Sequence, residues 1–426
     1  MEKSINNSVV IHNINSKVKI AAEVLPHYYS FTLGLFINRG SRDEKKEDNG
    51  STHLIEHMLF KGTARKSALE IARMIEGLGG SFDAFTTKEN LVIVTRFLSE
   101  HFIKVFELIG EILLESRFGE DEFSKEKSVI IEEIKSNNED PAEYVYDLMF
   151  DAIFKNHPMA MPIAGNIESV SGLRLENVHQ HYQRLLKSQI VIAVSGNFNI
   201  DDLLESARTR FTSGGKVLNE RKNPDVYKPQ RVFQTRSDIS QVHLVFCIPA
   251  VAYSSNLRHP LLLMTTVLGG GMSSRLFQGL REEKGLVYDV HSFIDFYSDC
   301  GVLGFYLTAD IKNLEKIIEQ LKTIFGNLNK TGFGKDEIDI AKTYITGNFL
   351  LSLENSTNRM LRIGREVSYL DKTVPIDETV RLINKIEEDE LKGLINTYLD
   401  LDKYSIAAVG PIDEKIIDRI NKQLKV

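Results

Sequence analysis

Three segments of this 426-residue chain recur at nearly one spacing, and that recurrence constrains the fold more than any other feature. Ile190-Val-Ile-Ala-Val-Ser-Gly196 closes the first half as Tyr404-Ser-Ile-Ala-Ala-Val-Gly410 closes the second. Each is an apolar, β-rich run ending in a glycine turn, and the glycines stand 214 positions apart. Strand-like Phe31-Thr-Leu-Gly-Leu-Phe-Ile matches Val242-His-Leu-Val-Phe-Cys-Ile at an offset of 211, and Phe123-Ser-Lys-Glu matches Phe333-Gly-Lys-Asp at an offset of 210. A single match is expected by chance; three with a common spacing indicate two related domains, a duplication and not a short-period solenoid. Between them Ser213-Gly-Gly, Asn223-Pro-Asp and Lys228-Pro-Gln mark a polar linker. The expected organisation is a domain at 1–212, a linker at 213–235 and a related domain at 236–426.

Within the first half, strands are expected at Val9–Ile14, Val18–Val24, Tyr29–Asn38, Asn90–Phe97 and Gln189–Gly196. Helices are expected at Ser51–Phe60, Ala68–Leu78, His101–Glu115, Glu120–Asn137 and Pro141–Phe154. Hairpin-spaced strands beside runs of helices point to an α+β class with mainly antiparallel sheets, in place of strict strand–helix alternation.

Charge excludes some functions. Lys and Arg number 52 against 59 Asp and Glu, a net charge of -7 with no polybasic block. Such a chain is poorly suited to nucleic-acid phosphates or an anionic membrane. No run of about 18 uncharged apolar residues suggests a membrane span. Residues 1–8 lack the apolar core of a signal peptide, so a cytoplasmic setting is expected, or an organelle matrix after removal of a transit peptide. Cys247 and Cys300 are too few for a disulfide framework or a thiolate zinc cluster, so any metal must be held by histidine and carboxylate.

The sharpest chemical signal is His53-Leu-Ile-Glu56-His57. Histidines four apart lie on one helix face, where both imidazoles reach one ion. Glu56 borders the same face, and Leu54, Ile55, Met58 and Leu59 are apolar residues that would bury the rest of the helix. The pattern H-x-x-E-H is the inversion of the zinc-peptidase motif H-E-x-x-H. A catalytic zinc usually takes a third protein ligand. The helical stretch Lys125–Lys135 offers Glu126 and Glu133, two turns apart on one stripe, and Glu132, about 100° around from Glu133. Periodicity does not choose between Glu132 and Glu133. In the second half, Gly269–Gly271 could suggest a phosphate loop, but no Gly-Lys-Ser/Thr follows.

His53-Leu-Ile-Glu56-His57, together with the segment from Leu268-Gly-Gly-Gly to Arg281-Glu-Glu-Lys-Gly-Leu-Val-Tyr288, resembles the inverted-zincin peptidases. That family includes insulin-degrading enzyme, pitrilysin and the mitochondrial processing peptidase. The likeness covers essentially the whole chain and is nearest the short, bacterial processing-peptidase-like members. It implies a zinc endopeptidase acting on unfolded or presequence-like peptides, with two domains enclosing a peptide chamber. Glu133 stands 76 residues beyond His57, where the short members carry the third ligand. The resemblance therefore implies His53, His57 and Glu133 as ligands, Glu56 as the base and Glu126, seven residues before Glu133, as a supporting acid. It implies further that Arg281 and Tyr288 reach the bound peptide. The stretch Gly79–Glu89 is similar to the family's substrate-binding edge strand, with Phe82, Asp83, Ala84 and Phe85 along it. Asp83 stands where many relatives carry Asn.

Shifting the ligand positions by about 210 residues, the spacing of the repeat, reaches Leu263–Val267 and Thr343, which offer no comparable ligand set. One Zn2+ per chain is expected. His157, His179 and His181 lack the paired spacing and are expected in capping, surface or core roles. The resemblance implies pairing as a homodimer or with a related subunit. The competing reading is a non-catalytic assembly or peptide-binding subunit of a larger complex.

Overall fold

The computed structural model describes residues 9–215, 217, 221, 223–224 and 227–424. The leader-free start expected at residues 1–8, and parts of the linker expected at 213–235, lie outside the described residues. The first half supplies strands β1 (Val10–Asn13), β2 (Val18–Val24), β3 (Ser30–Ile37), β4 (Ser81–Thr86), β5 (Leu91–Leu98) and β6 (Ile190–Gly196). Its helices are α1 (Ser51–Leu59), α2 (Ala68–Gly77), α3 (Phe102–Glu115), α4 (Glu120–Glu139), α5 (Pro141–Phe154), α6 (Ile167–Gly172), α7 (Leu175–Leu186) and α8 (Ile200–Arg210). The second half supplies β7 (Arg231–Thr235), β8 (Gln241–Ala250), β9 (Asp289–Phe296), β10 (Gly301–Asp310) and β11 (Ser405–Gly410). Its helices are α9 (Arg258–Gly269), α10 (Leu314–Thr331), α11 (Lys335–Ser352), α12 (Ser356–Leu370), α13 (Ile376–Asn384), α14 (Glu388–Tyr398) and α15 (Glu414–Gln423).

The strands form two sheets, ordered β1-β2-β6-β3-β5-β4 and β7-β11-β8-β10-β9. Leave out β1 and the orders correspond strand for strand. Each sheet has one parallel pair, β2 with β6 and β7 with β11, and is otherwise antiparallel. The α+β class holds. Central β3 and β6 are nearly continuous apolar runs because helices cover both faces, and β6 is buried throughout. Strand β4 closes one edge of the first sheet, hydrogen-bonded to β5 on one side.

The helix match at an offset of 210 is corrected by the structure. Phe123 N–H bonds the Gly119 carbonyl at 2.9 Å, and Ile338 N–H bonds the Gly334 carbonyl at 3.1 Å. Each bond closes the first turn of its helix, α4 and α11. Phe118-Gly119-Glu-Asp-Glu-Phe123 therefore corresponds to Phe333-Gly334-Lys-Asp-Glu-Ile338, an offset of 215. A coincidence of Phe and Lys letters suggested the other register. With the corrected register Glu126 corresponds to Ala341 and Glu133 to Asn348, not Thr343.

Packing divides the chain into two units that cross the linker. One gathers residues up to Lys135, those from Met161 to the linker, and Leu350–Ile376; the other gathers Ser136–Ala160, residues from Asn223 to Phe349, and Asp377 onward. In the first unit α12, from the second half of the chain, lays Met360, Ile363 and Val367 against Ala21, Phe36, Val92, Val191 and Ala193 of the first sheet. In the second unit α5, from the first half, lays Val145, Met149 and Ile153 against Val245, Cys247, Val302, Ala407 and Val409. Each sheet is thus covered on one face by a helix from the other half. Two glycines permit the α12 contact. A Cβ on Gly34 of β3 would fall inside the Met360 thioether, and one on Gly364 of α12 would fall inside the Phe36 ring. Both helices begin on an asparagine or aspartate cap: Asp140 accepts from Ala142 N–H, with Pro141 in the first turn, and Asn355 accepts from Thr357 N–H.

Candidate metal centre

Helix α1 is anchored by its apolar stripe. Leu54, Ile55, Met58 and Leu59 are fully buried in the main core of the first unit, which leaves His53, Glu56 and His57 on the opposite, half-open face. The N-terminus of α1 has no side-chain cap of its own, because Gly50 occupies the capping position with φ 97°. Buried Glu44 serves instead. One of its oxygens accepts from Thr52 N–H at 2.6 Å, and the other accepts from Gly50 N–H at 2.8 Å and the Asn49 amide at 2.9 Å. Burial pushes the Glu44 carboxyl up to about 7, against the pull of these same hydrogen bonds. Beside it the Thr52 hydroxyl and His181 Nε2 lie 2.8 Å apart. His181 is buried, and burial holds it down to about 4, a neutral core imidazole.

Helix α4 brings the acids. Phe123, Ile130 and Ile134 sink into the same core, and Glu126 is buried with them. Glu133 Oε2 stands 3.2 Å from His53 Nε2 and 3.9 Å from His57 Nε2. Donor atoms of His53, His57 and Glu133 all lie within 4.8 Å of one another, the one grouping of three such side chains among the described residues. Glu132, which periodicity left as an alternative, points away and pairs with Lys135 at 2.7 Å in an exposed position.

The other nitrogen of each imidazole faces a second carboxylate. His57 Nδ1 is 3.1 Å from Glu126 Oε2, and Lys61 Nζ bonds the other Glu126 oxygen at 2.7 Å. His53 Nδ1 is 3.5 Å from Glu56 Oε2. A carboxylate behind an imidazole fixes its tautomer and orients the opposite nitrogen, an arrangement found around metal-binding histidines. Burial opposes charging of His53, yet the Glu133 and Glu56 carboxylates outweigh it and hold the imidazole up at about 9. The His53 hydrogen bond in turn holds Glu133 below the usual carboxylate range. Two imidazoles and a carboxylate, with no thiol, suit zinc, which accepts nitrogen and oxygen donors in a three-ligand site with one position left open. Cys247 and Cys300 are both buried in the core of the second unit, and no disulfide joins them.

Next to the imidazoles a cleft of about 310 Å³ is lined by Glu56, His57, Phe60, Lys61, Phe82, Asp83, Ala84 and Glu126. The Phe60 and Phe82 rings meet edge to face at 5.2 Å. Phe82 and Ala84 turn toward the core, while Asp83 is exposed and its carboxylate accepts from Ala84 N–H at 2.9 Å. Phe85 packs on the opposite face, beside the α12 contacts. A larger cavity of about 780 Å³ opens near Tyr28, Tyr29, Gly79 and Arg96. It lies at the far end of β4 and contains none of the clustered donors, whereas the smaller cleft adjoins them.

The structure therefore brings together His53, Glu56, His57, Glu126, Glu133, Phe82, Asp83 and Ala84. Arg281 and Tyr288 belong to the second unit. Arg281 lies in a π-helical turn, Phe277–Glu282, with its guanidinium 4.9 Å from the Phe277 ring. Tyr288 is exposed just ahead of β9, its N–H bonded to the Thr308 carbonyl at 2.8 Å. His157 Nδ1 caps Met159 N–H at 3.2 Å, and His179 rests on Phe118 with ring centroids 5.2 Å apart. Sequence reasoning missed Glu44, Lys61 and Thr86. Lys61 follows the histidine motif and Thr86 lies within the Gly79–Glu89 stretch, but no spacing rule marks either, and nothing local marks Glu44.

Among the described residues no helix is long and apolar enough to cross a membrane. Residues 19–166 match the family model for Insulinase (Peptidase family M16), and residues 173–345 match that of the Peptidase M16 inactive domain. A Bacillus subtilis protein named as an uncharacterized zinc protease, YmxG, is 32% identical over 400 residues, covering 92% of this chain and 96% of the relative. A peptidase M16 inactive domain from Pseudomonas fluorescens superposes with a TM-score of 0.87 at 21% identity, over 95% of this chain and 99% of that one. A chain of Complex III2 from Candida albicans superposes with a TM-score of 0.81 at 19% identity, over 98% of this chain and 100% of that one. These matches span nearly the whole length, and the chain belongs to the insulinase family, peptidase family M16.

Proposed function

We propose that the chain is a zinc-dependent endopeptidase for unfolded peptides, including presequence-like segments, with His53, His57 and Glu133 holding one Zn2+. The observation that carries this reading is the convergence of His53 Nε2 and His57 Nε2 on Glu133 Oε2. Bound there, zinc would polarise the scissile carbonyl and lower the pKa of an attacking water. Glu56 takes the proton of that water and later delivers it to the leaving amine. Glu126, buttressed by Lys61, keeps the proton of His57 on Nδ1 and leaves Nε2 as the donor. The open edge of β4 gives an extended peptide backbone hydrogen bonds without demanding one sequence, and Phe82, Asp83, Ala84 and Phe85 set which side chains fit beside it. Arg281 and Tyr288 act on the same peptide. Pairing as a homodimer or with a related subunit, and a cytoplasmic setting, belong to the same proposal.

The test is turnover of a quenched peptide by purified protein, with zinc measured on the same sample. Chelation should abolish turnover and zinc should restore it. Glu56→Gln should retain zinc and fold while losing about 10²–10⁴ in rate. A zinc-replete protein that binds peptides and never cuts them would instead establish the non-catalytic subunit reading.

A further inference from the structure

Thr86 is the last residue of β4, and its hydroxyl donates to Glu56 Oε2 at 2.6 Å. That length is within the range for a hydroxyl donating to a carboxylate oxygen. The two partners come from different elements. Helix α1 is packed into the core by its buried leucines, isoleucine and methionine, so the side-chain torsions of Glu56 are what a further partner can fix. A glutamate has three of these, and a proton acceptor must stand within hydrogen-bond reach of the proton it takes. The Thr86 hydroxyl holds one oxygen of that carboxylate, the same Oε2 that stands 3.5 Å from His53 Nδ1. Alternation along β4 places Thr86 on the same face as Phe82 and Ala84. Those two side chains pack toward the core and line the cleft beside the imidazoles, while on its other edge β4 pairs with no strand among the described residues.

We infer that Thr86 is the positioning residue for Glu56, tying the proton acceptor to the strand on which the peptide is laid. The inference rests on the zinc-peptidase reading above. Peptide docking and base orientation are then set by one element, so a peptide pairing along β4 meets a base already aimed at it. An orientation error of this kind is expensive, because misplacement by about 1 Å lowers a rate by about 10²-fold.

Thr86→Val removes the hydroxyl while keeping the shape and a residue well suited to a strand; Thr86→Ser restores the hydroxyl. Turnover is measured at matched zinc content for the unaltered protein, both Thr86 variants, Glu56→Gln and the Thr86→Val/Glu56→Gln pair. Peptide binding to the zinc-free proteins is followed by fluorescence anisotropy. The expected result is a fall in kcat of about 10–100-fold for Thr86→Val, with KM, zinc affinity and peptide binding unchanged. Thr86→Ser should recover most of the rate, and in the Glu56→Gln background Thr86→Val should add no further loss. The inference is overturned if Thr86→Val turns over normally while Glu56→Gln does not. It is equally overturned if the Thr86→Val loss persists beside Glu56→Gln or follows weakened peptide binding. Full turnover by Glu56→Gln would instead sink the reading of Glu56 as the base, and this inference with it.

Discussion

The two units carry the same strand order yet differ at the helices that follow their matching strands. After β3 comes α1, with His53, Glu56 and His57 on its open face. After β8 comes α9, whose Leu261, Leu263, Met264, Val267 and Leu268 are all buried. The acid-bearing helix shows the same contrast. Glu126 and Glu133 of α4 correspond to Ala341 and Asn348 of α11, which starts from the same Phe-Gly turn. The scaffold is thus indifferent to chemistry: a buried apolar stripe holds each helix in place, and a handful of outward residues decide whether metal donors meet. This agrees with the match of residues 173–345, which include α9 and the start of α11, to a family model described as an inactive domain.

The largest effect that would sharpen this contrast is at Glu133. Glu133→Gln should purify without zinc and without activity, since an amide is a weaker donor to a hard cation than a carboxylate. Glu132→Gln, on an exposed residue paired with Lys135, should keep both. Metal analysis of the two variants decides it, and zinc lost only from Glu132→Gln would break the assignment of the helix face.

Next, Arg281→Ala and Tyr288→Phe should lower peptide turnover, by about 10²–10³ if they donate to charge developing in the transition state, while zinc stoichiometry stays unchanged. Normal turnover in both would confine the chemistry to the first unit. The exchanged helices offer a third comparison. Met360→Ala in α12 and Met149→Ala in α5 each empty a fully enclosed site and should each cost about 2 kcal/mol or more in urea unfolding. A negligible loss at Met360 would mean that the first sheet does not depend on α12. The smallest effect is expected at Asn348→Glu. It supplies the acid at the position corresponding to Glu133, but α9 has no histidine pair to meet it. Stability should move by no more than about 0.5 kcal/mol and zinc should stay at one per chain. A second zinc would show the second unit to be closer to a metal site than its helices suggest.

Much of the candidate metal centre was legible because it is local. His53, Glu56 and His57 sit within one helical turn and a half, where spacing alone dictates which side chains share a face. The choice between Glu132 and Glu133 was not local: both acids are on α4, and a shift of one residue turns the helix by about 100°. Residue spacing left it open, and the family likeness pointed to Glu133. Glu44 and Thr86 were invisible for a related reason. Each acts across the fold, one on the N-terminus of α1 and the other on Glu56, and nothing in the neighbouring residues records the partner. The repeat was legible in outline and misread in detail, because similar letters at Phe123 and Phe333 masked the helix starts at Gly119 and Gly334.

What the amino-acid order determined by itself is periodic and short in range: the apolar strands, the histidine pair, and the duplication that repeats one sheet. What only the tertiary structure decided is which surfaces meet. The amphipathic pattern of α5 or α12 states that one face must be buried and is silent about which sheet receives it, because the hydrophobic effect is non-directional. Shape makes that choice, through the space left by Gly34 and Gly364 for Met360 and Phe36. Such complementarity exists only once distant parts of the chain are packed together.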